Sequence, residues 1–217
     1  MTMRKFLAIL LFATICCNLN AQEGFYNDRP GTTLKWIIYD GDGDCFGYCH
    51  EKLVRIDRDM DDAEIHYAYL FYDSEGKSVT GDKPFAFQVR VKDGQTKAYV
   101  NNVSQAIVSG DYMPVGDLSS IPGDIAVGDI LPETEISVRV LRVFTATNRY
   151  TNRRVTAQET IEVPAGTFDC YLVEDDEYFT GKGPFPVKTW VARGVGIVRQ
   201  IIYQKNGAVN QVLELIP

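Results

Sequence analysis

The chain has 217 residues, of which 45% are hydrophobic, 12% aromatic and 24% charged, and its net charge is −7. That composition is too rich in Tyr, Phe and Val for a disordered chain and suits one domain with a real core. The acidic balance argues against the basic face of a nucleic-acid binder, and five cysteines in a chain this long do not make a disulfide scaffold.

Residues 1–21 read as a secretory signal peptide. Arg4 and Lys5 give a positive start, residues 6–17 form an apolar run, and Ala21 is a small residue at the expected cleavage point. The run falls short of the ~20 residues that a membrane-spanning helix takes, and no later stretch reaches that length. Ile15 precedes Cys16 where a lipidated cysteine would want a small residue, so lipid anchoring is not expected. The expected product is a single domain over 22–217, periplasmic or extracellular, with no transmembrane segment. It keeps three cysteines, Cys45, Cys49 and Cys170, and an odd number leaves at least one thiol without a partner in its own chain.

Beyond residue 21 the hydrophobic period is two. Phe87, Val89 and Val91 alternate with Gln88, Arg90 and Lys92, and Ile136, Val138 and Val140 alternate with Ser137 and Arg139. A sheet with one buried and one wet face has this pattern. Strands are expected near 33–40, 48–57, 64–73, 85–92, 96–101, 134–146, 153–163, 167–174, 186–192, 196–204 and 208–215. Asp93-Gly94, Asn206-Gly207, Asp73 to Lys77, Pro164-Ala165-Gly166 and Arg193-Gly194 supply the reversals. Residues 102–133 break the rhythm with seven Gly and Pro residues. Residues 102–109 suit at most a short helix, and the rest is a cross-connection or a lid. The fold class is all-β: an antiparallel meander forming an open or incomplete barrel.

Several motifs invite chemistry. Asp40-Gly41-Asp42-Gly43-Asp44 with Glu51 at the twelfth place imitates an EF-hand loop, but Cys45 stands where that loop needs Gly and the flanks are β-patterned. A Gly/Asp turn is the better reading. Asp57, Asp59, Asp61 and Asp62 read as a charged turn, and residues 174–177 as an acidic solvated loop. Cys49 and His50 point to opposite faces of a strand, which spoils a zinc set. Cys45 and Cys49 lie ~13 Å apart on a straight strand, beyond disulfide reach unless Cys45 sits in the turn and the chain folds back; that bridge and Cys49–Cys170 stay open, with three thiols the preferred expectation. Cys170 reads as a small buried hydrophobe. His66 reads as a packed or hydrogen-bonded strand histidine, and neither Gly-x-Ser-x-Gly nor Ser-x-x-Lys occurs. Tyr67, Tyr69, Phe71, Phe85 and Phe87 read as core or cavity lining. The sequence names no catalytic residues, no cofactor site and no metal ligands, so an enzyme is not expected.

Two phrases in the second half, Val163-Pro164-Ala165-Gly166-Thr167-Phe168-Asp169-Cys170-Tyr171 and Trp190-Val191-Ala192-Arg193-Gly194-Val195-Gly196-Ile197-Val198, carry a resemblance, with Val127-Gly128-Asp129-Ile130-Leu131-Pro132 as a looser third. Together they resemble the TapB-like family of exported bacterial envelope proteins of unknown function, over about residues 110–215. The resemblance implies an antiparallel sheet curled into an incomplete barrel, similar in outline to periplasmic lipoprotein carriers, and brings no catalytic residue. Val191 departs from the family, where an aromatic is common, as does the Asp40–Cys49 turn. Phe168, Tyr171 and Trp190 read as buried anchors. The expected function is a binding module that holds an apolar or lipid-like ligand on a curved sheet. The alternative is a structural or accessory envelope protein that acts through a protein partner.

Overall fold

Eleven strands follow one another in the computed structural model, which describes residues 24–27, 29–59, 62–79, 84–92, 95–101, 121–140, 144–179 and 181–217. They are β1 (Thr33–Asp40), β2 (Cys45–Asp59), β3 (Asp62–Asp73), β4 (Phe85–Lys92), β5 (Gln95–Asn101), β6 (Thr134–Val140), β7 (Phe144–Val163), β8 (Gly166–Phe179), β9 (Lys182–Ala192), β10 (Gly196–Tyr203) and β11 (Val209–Ile216). All lie in one sheet of order β5-β4-β3-β2-β1-β11-β10-β9-β8-β7-β6, and each pairing is antiparallel. The last strand closes onto the first, while β5 and β6 end the order, so the barrel is open. No α-helix occurs among the described residues, and no helix there is long and apolar enough to cross a membrane. The signal segment, the expected turn at residues 93–94 and the short helix near 102–109 lie outside the described residues.

Among the described residues the sheet has no second layer, so it buries one face by curling around it. On β1 to β3 the inward residues are Trp36 and Ile38, then Cys49 and Leu53, then Ala63, Ile65, Tyr67, Tyr69 and Phe71, all buried. On β8 to β11 they include Val173, Val187, Val191, Leu213 and Leu215. Two contacts span the curl. The Trp36 indole N–H donates to the Ile197 carbonyl at 3.0 Å, from β1 across β11 to β10. The Ala165 N–H, in the turn after β7, donates to the Leu215 carbonyl on β11 at 3.1 Å.

Three elements differ from the pattern-based expectation. The strand expected over 134–146 is two: β6 ends at Val140 and β7 begins at Phe144, with those residues paired in register. The run Val140-Leu141-Arg142-Val143-Phe144 has no Gly, Pro, Asn or Asp to mark a turn, so periodicity fuses the strands. β7 then runs 20 residues, with a bulge between Thr151 and Arg154 where Asn152 takes a φ of 54°, which Asn tolerates better than most residues. Finally, β8 and β9 extend far past residues 174 and 186 to meet at Gly181, whose φ of 79° makes the turn.

The described part of the 102–133 segment, residues 121–133, is not a loose lid. Ile125 and Leu131 are buried in the core. The Leu131 N–H donates to Arg153 O and the Val155 N–H to Asp129 O, both at 2.9 Å, so the segment lines the edge of β7 beyond the end of β6.

Gly47 marks a close approach of a different kind. A Cβ there would meet the Tyr72 carbonyl oxygen of β3 well inside van der Waals contact. Gly47→Ala is expected to destabilise the fold by ~1–3 kcal/mol, as other overpacking changes do; chemical denaturation of the mature protein measures it.

Candidate functional site

Glu51 stands in the middle of the most apolar stretch of the inner face. Alternation on β2 dictates its direction, because Cys49, Glu51 and Leu53 share a face, and the register places it opposite Tyr69 of β3 and Leu34 of β1. The residue is 5% exposed. Its Oε2 accepts a short hydrogen bond from the Tyr69 hydroxyl. Burial pushes its pKa up to about 7, against the opposing effect of the Tyr69 hydroxyl and the Asn27 amide, which favour the ionised form. The Asn27 Nδ2, itself buried, completes no hydrogen bond of normal geometry among the described residues. Burial, reinforced by Glu51, also raises the Cys49 thiol and the Tyr69 hydroxyl. The arrangement is a hydrogen-bond acceptor in an aromatic setting, with no cationic side chain bonded to it among the described residues.

A second polar group occupies the β7 to β10 part of the inner face. Arg153, 1% exposed, follows the β7 bulge. Its Nε lies 3.8 Å from Asp175 Oδ2 on β8 and its Nη1 donates to Pro132 O at 3.0 Å. The Tyr150 hydroxyl donates to Glu177 Oε1 at 3.0 Å, and Gln200 Nε2 to Thr189 Oγ1 at 3.0 Å. The acidic run at 174–177 is therefore not the solvated loop expected from its composition. It is strand, with Asp175 and Glu177 buried. Its outward residues bond elsewhere: Glu174 pairs with Lys188 at 3.0 Å, and Asp176 accepts from Asn152 at 2.7 Å. Alternation within four consecutive acids is invisible to a charge count, because both parities carry the same sign.

Residues 24–27 lie on this face rather than in its ladder. Phe25 meets Tyr171 edge to face with ring centroids 5.6 Å apart, and the Arg193 guanidinium sits 4.7 Å from the Phe25 ring centroid. Gly24 O accepts from the Gly194 N–H at 2.9 Å and Asn27 O from the Tyr67 hydroxyl at 2.8 Å.

The motifs singled out in the sequence sit elsewhere. Asp40 Oδ1 accepts the backbone N–H groups of Asp42 and Asp44, both at 3.0 Å, so it caps the β1–β2 turn. Glu51 lies six residues from Cys45 along β2, ~20 Å away, and does not join that turn. Asp57 pairs with Arg55 at 2.8 Å on the wet face. There His66 Nε2 lies 3.0 Å from Glu64 Oε1 and 3.2 Å from Arg55 Nη2, so it is hydrogen-bonded, as read from the sequence. Asp57, Glu64 and His66 bring ligand atoms within 4.8 Å of one another, but the Arg55 guanidinium already lies among them. Cys45, Cys49 and Cys170 are free thiols, with Cys49 and Cys170 buried. His50 packs on Tyr72 at 4.6 Å. Phe168, Tyr171 and Trp190 are half-buried against the core rather than buried in it. Trp190 faces outward, where its indole donates to Glu159 at 2.6 Å. Tyr67, Tyr69 and Phe71 are core, whereas the side chains of Phe85 and Phe87 lie outside the described set.

An open half-barrel whose inner face buries aromatic rings and ionisable groups defines the class. The chain belongs to the DUF3108-like family, whose sequence pattern matches residues 29–215. That match carries the broader resemblance, a family of unknown function, without the narrower TapB-like label. Two crystal structures share the fold. One is of a protein from Bacteroides fragilis NCTC 9343, described provisionally as exported and with a YmcC-like fold: TM-score 0.69, 19% identity, 89% of this chain and 97% of that one. The other is of a protein from Parabacteroides distasonis ATCC 8503, described provisionally as a lipoprotein: TM-score 0.65, 16% identity, 89% and 97% covered. At such identities the likeness carries the fold alone. The second gives no support to the expectation against lipid anchoring. Among curated proteins, no sequence matches this one.

Two outcomes follow from the buried charges. A pKa raised in the folded state makes Glu51 stabilising below its ordinary value of 4.5, and that stability is lost as pH rises toward about 7. Unfolding free energy is therefore expected to fall over that window by up to ~3 kcal/mol, and Glu51→Gln to flatten the fall; denaturant titrations at a series of pH values read both. Arg153→Met leaves Asp175 buried beside no cation from β7 and is expected to cost ~3–5 kcal/mol, read as a lower unfolding midpoint.

Proposed function

We propose that this chain is a non-catalytic binding module of the cell envelope, exported by its signal peptide, that holds an apolar or lipid-like ligand against the inner face of the curled sheet. The observation that carries this reading is Glu51. A face made only for packing has no use for a carboxyl among Trp36, Tyr67, Tyr69 and Phe71, since burial without an ion partner costs stability. A binding face does, because apolar walls with a few placed polar groups fix a ligand's orientation. The exported and lipoprotein descriptions of the two fold neighbours accord with an envelope location. A further observation favours contacts with an envelope protein as the second reading: Val127 and Ile130, three residues apart on the segment along β7, are 55% and 77% exposed.

Native mass spectrometry of the mature protein purified from its own envelope is expected to show a co-purifying lipid, and a protein that comes through empty under gentle ionisation contradicts the binding reading. In-cell crosslinking from position 130 that captures one specific protein would favour the second.

A further inference from the structure

The β2–β3 hairpin carries a bulge that alternation alone does not call for. Cys49, Glu51 and Leu53 are buried on the inner face, and strict alternation would send Arg55 and Asp57 the same way. The register shift between Leu53 and Arg55 reverses that parity, so that Arg55 stands opposite His66 and Asp57 opposite Glu64. All four side chains then lie on the wet face, with Arg55 and Asp57 60% and 56% exposed. Bulges re-aim side chains in this way and are over-represented next to functional sites. The quartet it assembles is in conflict. Two carboxylates directly opposite one another repel, and one guanidinium lies among them, with Arg55 Nε 2.8 Å from Asp57 Oδ2. His66 Nε2 lies 3.0 Å from Glu64 Oε1 and 3.2 Å from Arg55 Nη2. No state of the ring satisfies both contacts. An Nε2–H donates to Glu64 but faces an N–H of Arg55, and a bare Nε2 accepts from Arg55 but faces an ionised carboxylate.

We propose that Asp57, Glu64 and His66 bind a divalent cation of the Zn²⁺ kind, and that Arg55 is the stand-in such an ion displaces. The three ligand atoms lie within 4.8 Å of one another, and an ion that bonds at ~2.0–2.2 Å draws them inward from facing strands. One imidazole with two carboxylates suits Zn²⁺ and its neighbours, whereas Mg²⁺ and Ca²⁺ take oxygen ligands. The ion takes the Nε2 lone pair, which removes the conflict at His66. Its double charge matches the two carboxylates, where Arg55 matches one. Displacing Arg55 costs little, because ion pairs this exposed contribute little. Three protein ligands leave a coordination position to water, so the site is open to solvent. It lies on the opposite face of the sheet from Glu51 and owes nothing to the binding reading.

The chain has two histidines, His50 and His66, so imidazole NMR of the mature protein reads the site directly. One equivalent of Zn²⁺ is expected to shift the His66 ring signals and to leave those of His50 in place, while Mg²⁺ at the same concentration shifts neither. By calorimetry, Asp57→Asn and His66→Gln are each expected to weaken Zn²⁺ binding at least about tenfold. Arg55→Gln removes the competitor and is expected to tighten it about two- to fivefold. His66 signals that stay in place with Zn²⁺ overturn the site, as does unchanged affinity in His66→Gln. Unchanged affinity in Asp57→Asn overturns the three-ligand set. Equal shifts with Mg²⁺ overturn the choice of metal, and weaker binding in Arg55→Gln overturns the stand-in.

Discussion

A single sheet with one apolar face has to hide that face, and among the described residues neither a helix nor a second sheet is available to cover it. The rest of the architecture follows from this constraint. Eleven antiparallel strands curl until the turn after β7 hydrogen-bonds to β11 and the Trp36 indole of β1 reaches a carbonyl of β10. Bulges in β1–β2, β7 and β10 take up the bending, as they do wherever a sheet turns sharply. Residues 24–27 and 121–133 complete the cover, placing Phe25, Ile125 and Leu131 in the same core.

Curling makes the inner face expensive for polar groups, so those that remain there are informative. Glu51 has a hydroxyl and a nearby amide for company. Arg153 and Asp175 answer one another across β7 and β8 at 3.8 Å, with the Pro132 carbonyl completing the guanidinium's surroundings. The two groups differ in kind. Arg153 pairs with Asp175 across β7 and β8 and, through Pro132 O, ties the 121–133 segment to the sheet, which is a structural task. Glu51 has no ion partner among the described residues, only the Tyr69 hydroxyl and the Asn27 amide. That difference is why the proposed ligand site is drawn around Glu51.

The fold was legible in the sequence because its signal is local: period-two alternation and turn residues mark strands whatever their partners. Where the turn carried no marker, as between Val140 and Phe144, two strands were read as one. The site was much less legible. In the sequence Glu51 stands out as the twelfth residue of an imitation calcium loop, while its parity with Cys49 and Leu53 places it on the buried face. Asp175 and Glu177 hid in a run of four acids whose two faces look alike. The role of residues 24–27 had no local signal at all, since it depends on Tyr67, Arg193 and Gly194, which are distant in the chain.

Among the described residues Glu51 has no cation beside it and is buried on an inner face lined by aromatic rings. Carbon-13 NMR of the mature protein, following the side-chain carboxyl of Glu51 through a pH titration and assigned with Glu51→Gln, tests it directly. The account expects a midpoint near 7, well above the ordinary 4.5. A midpoint at the ordinary glutamate value would mean that water reaches the carboxyl, and would contradict both its burial and the site drawn on it.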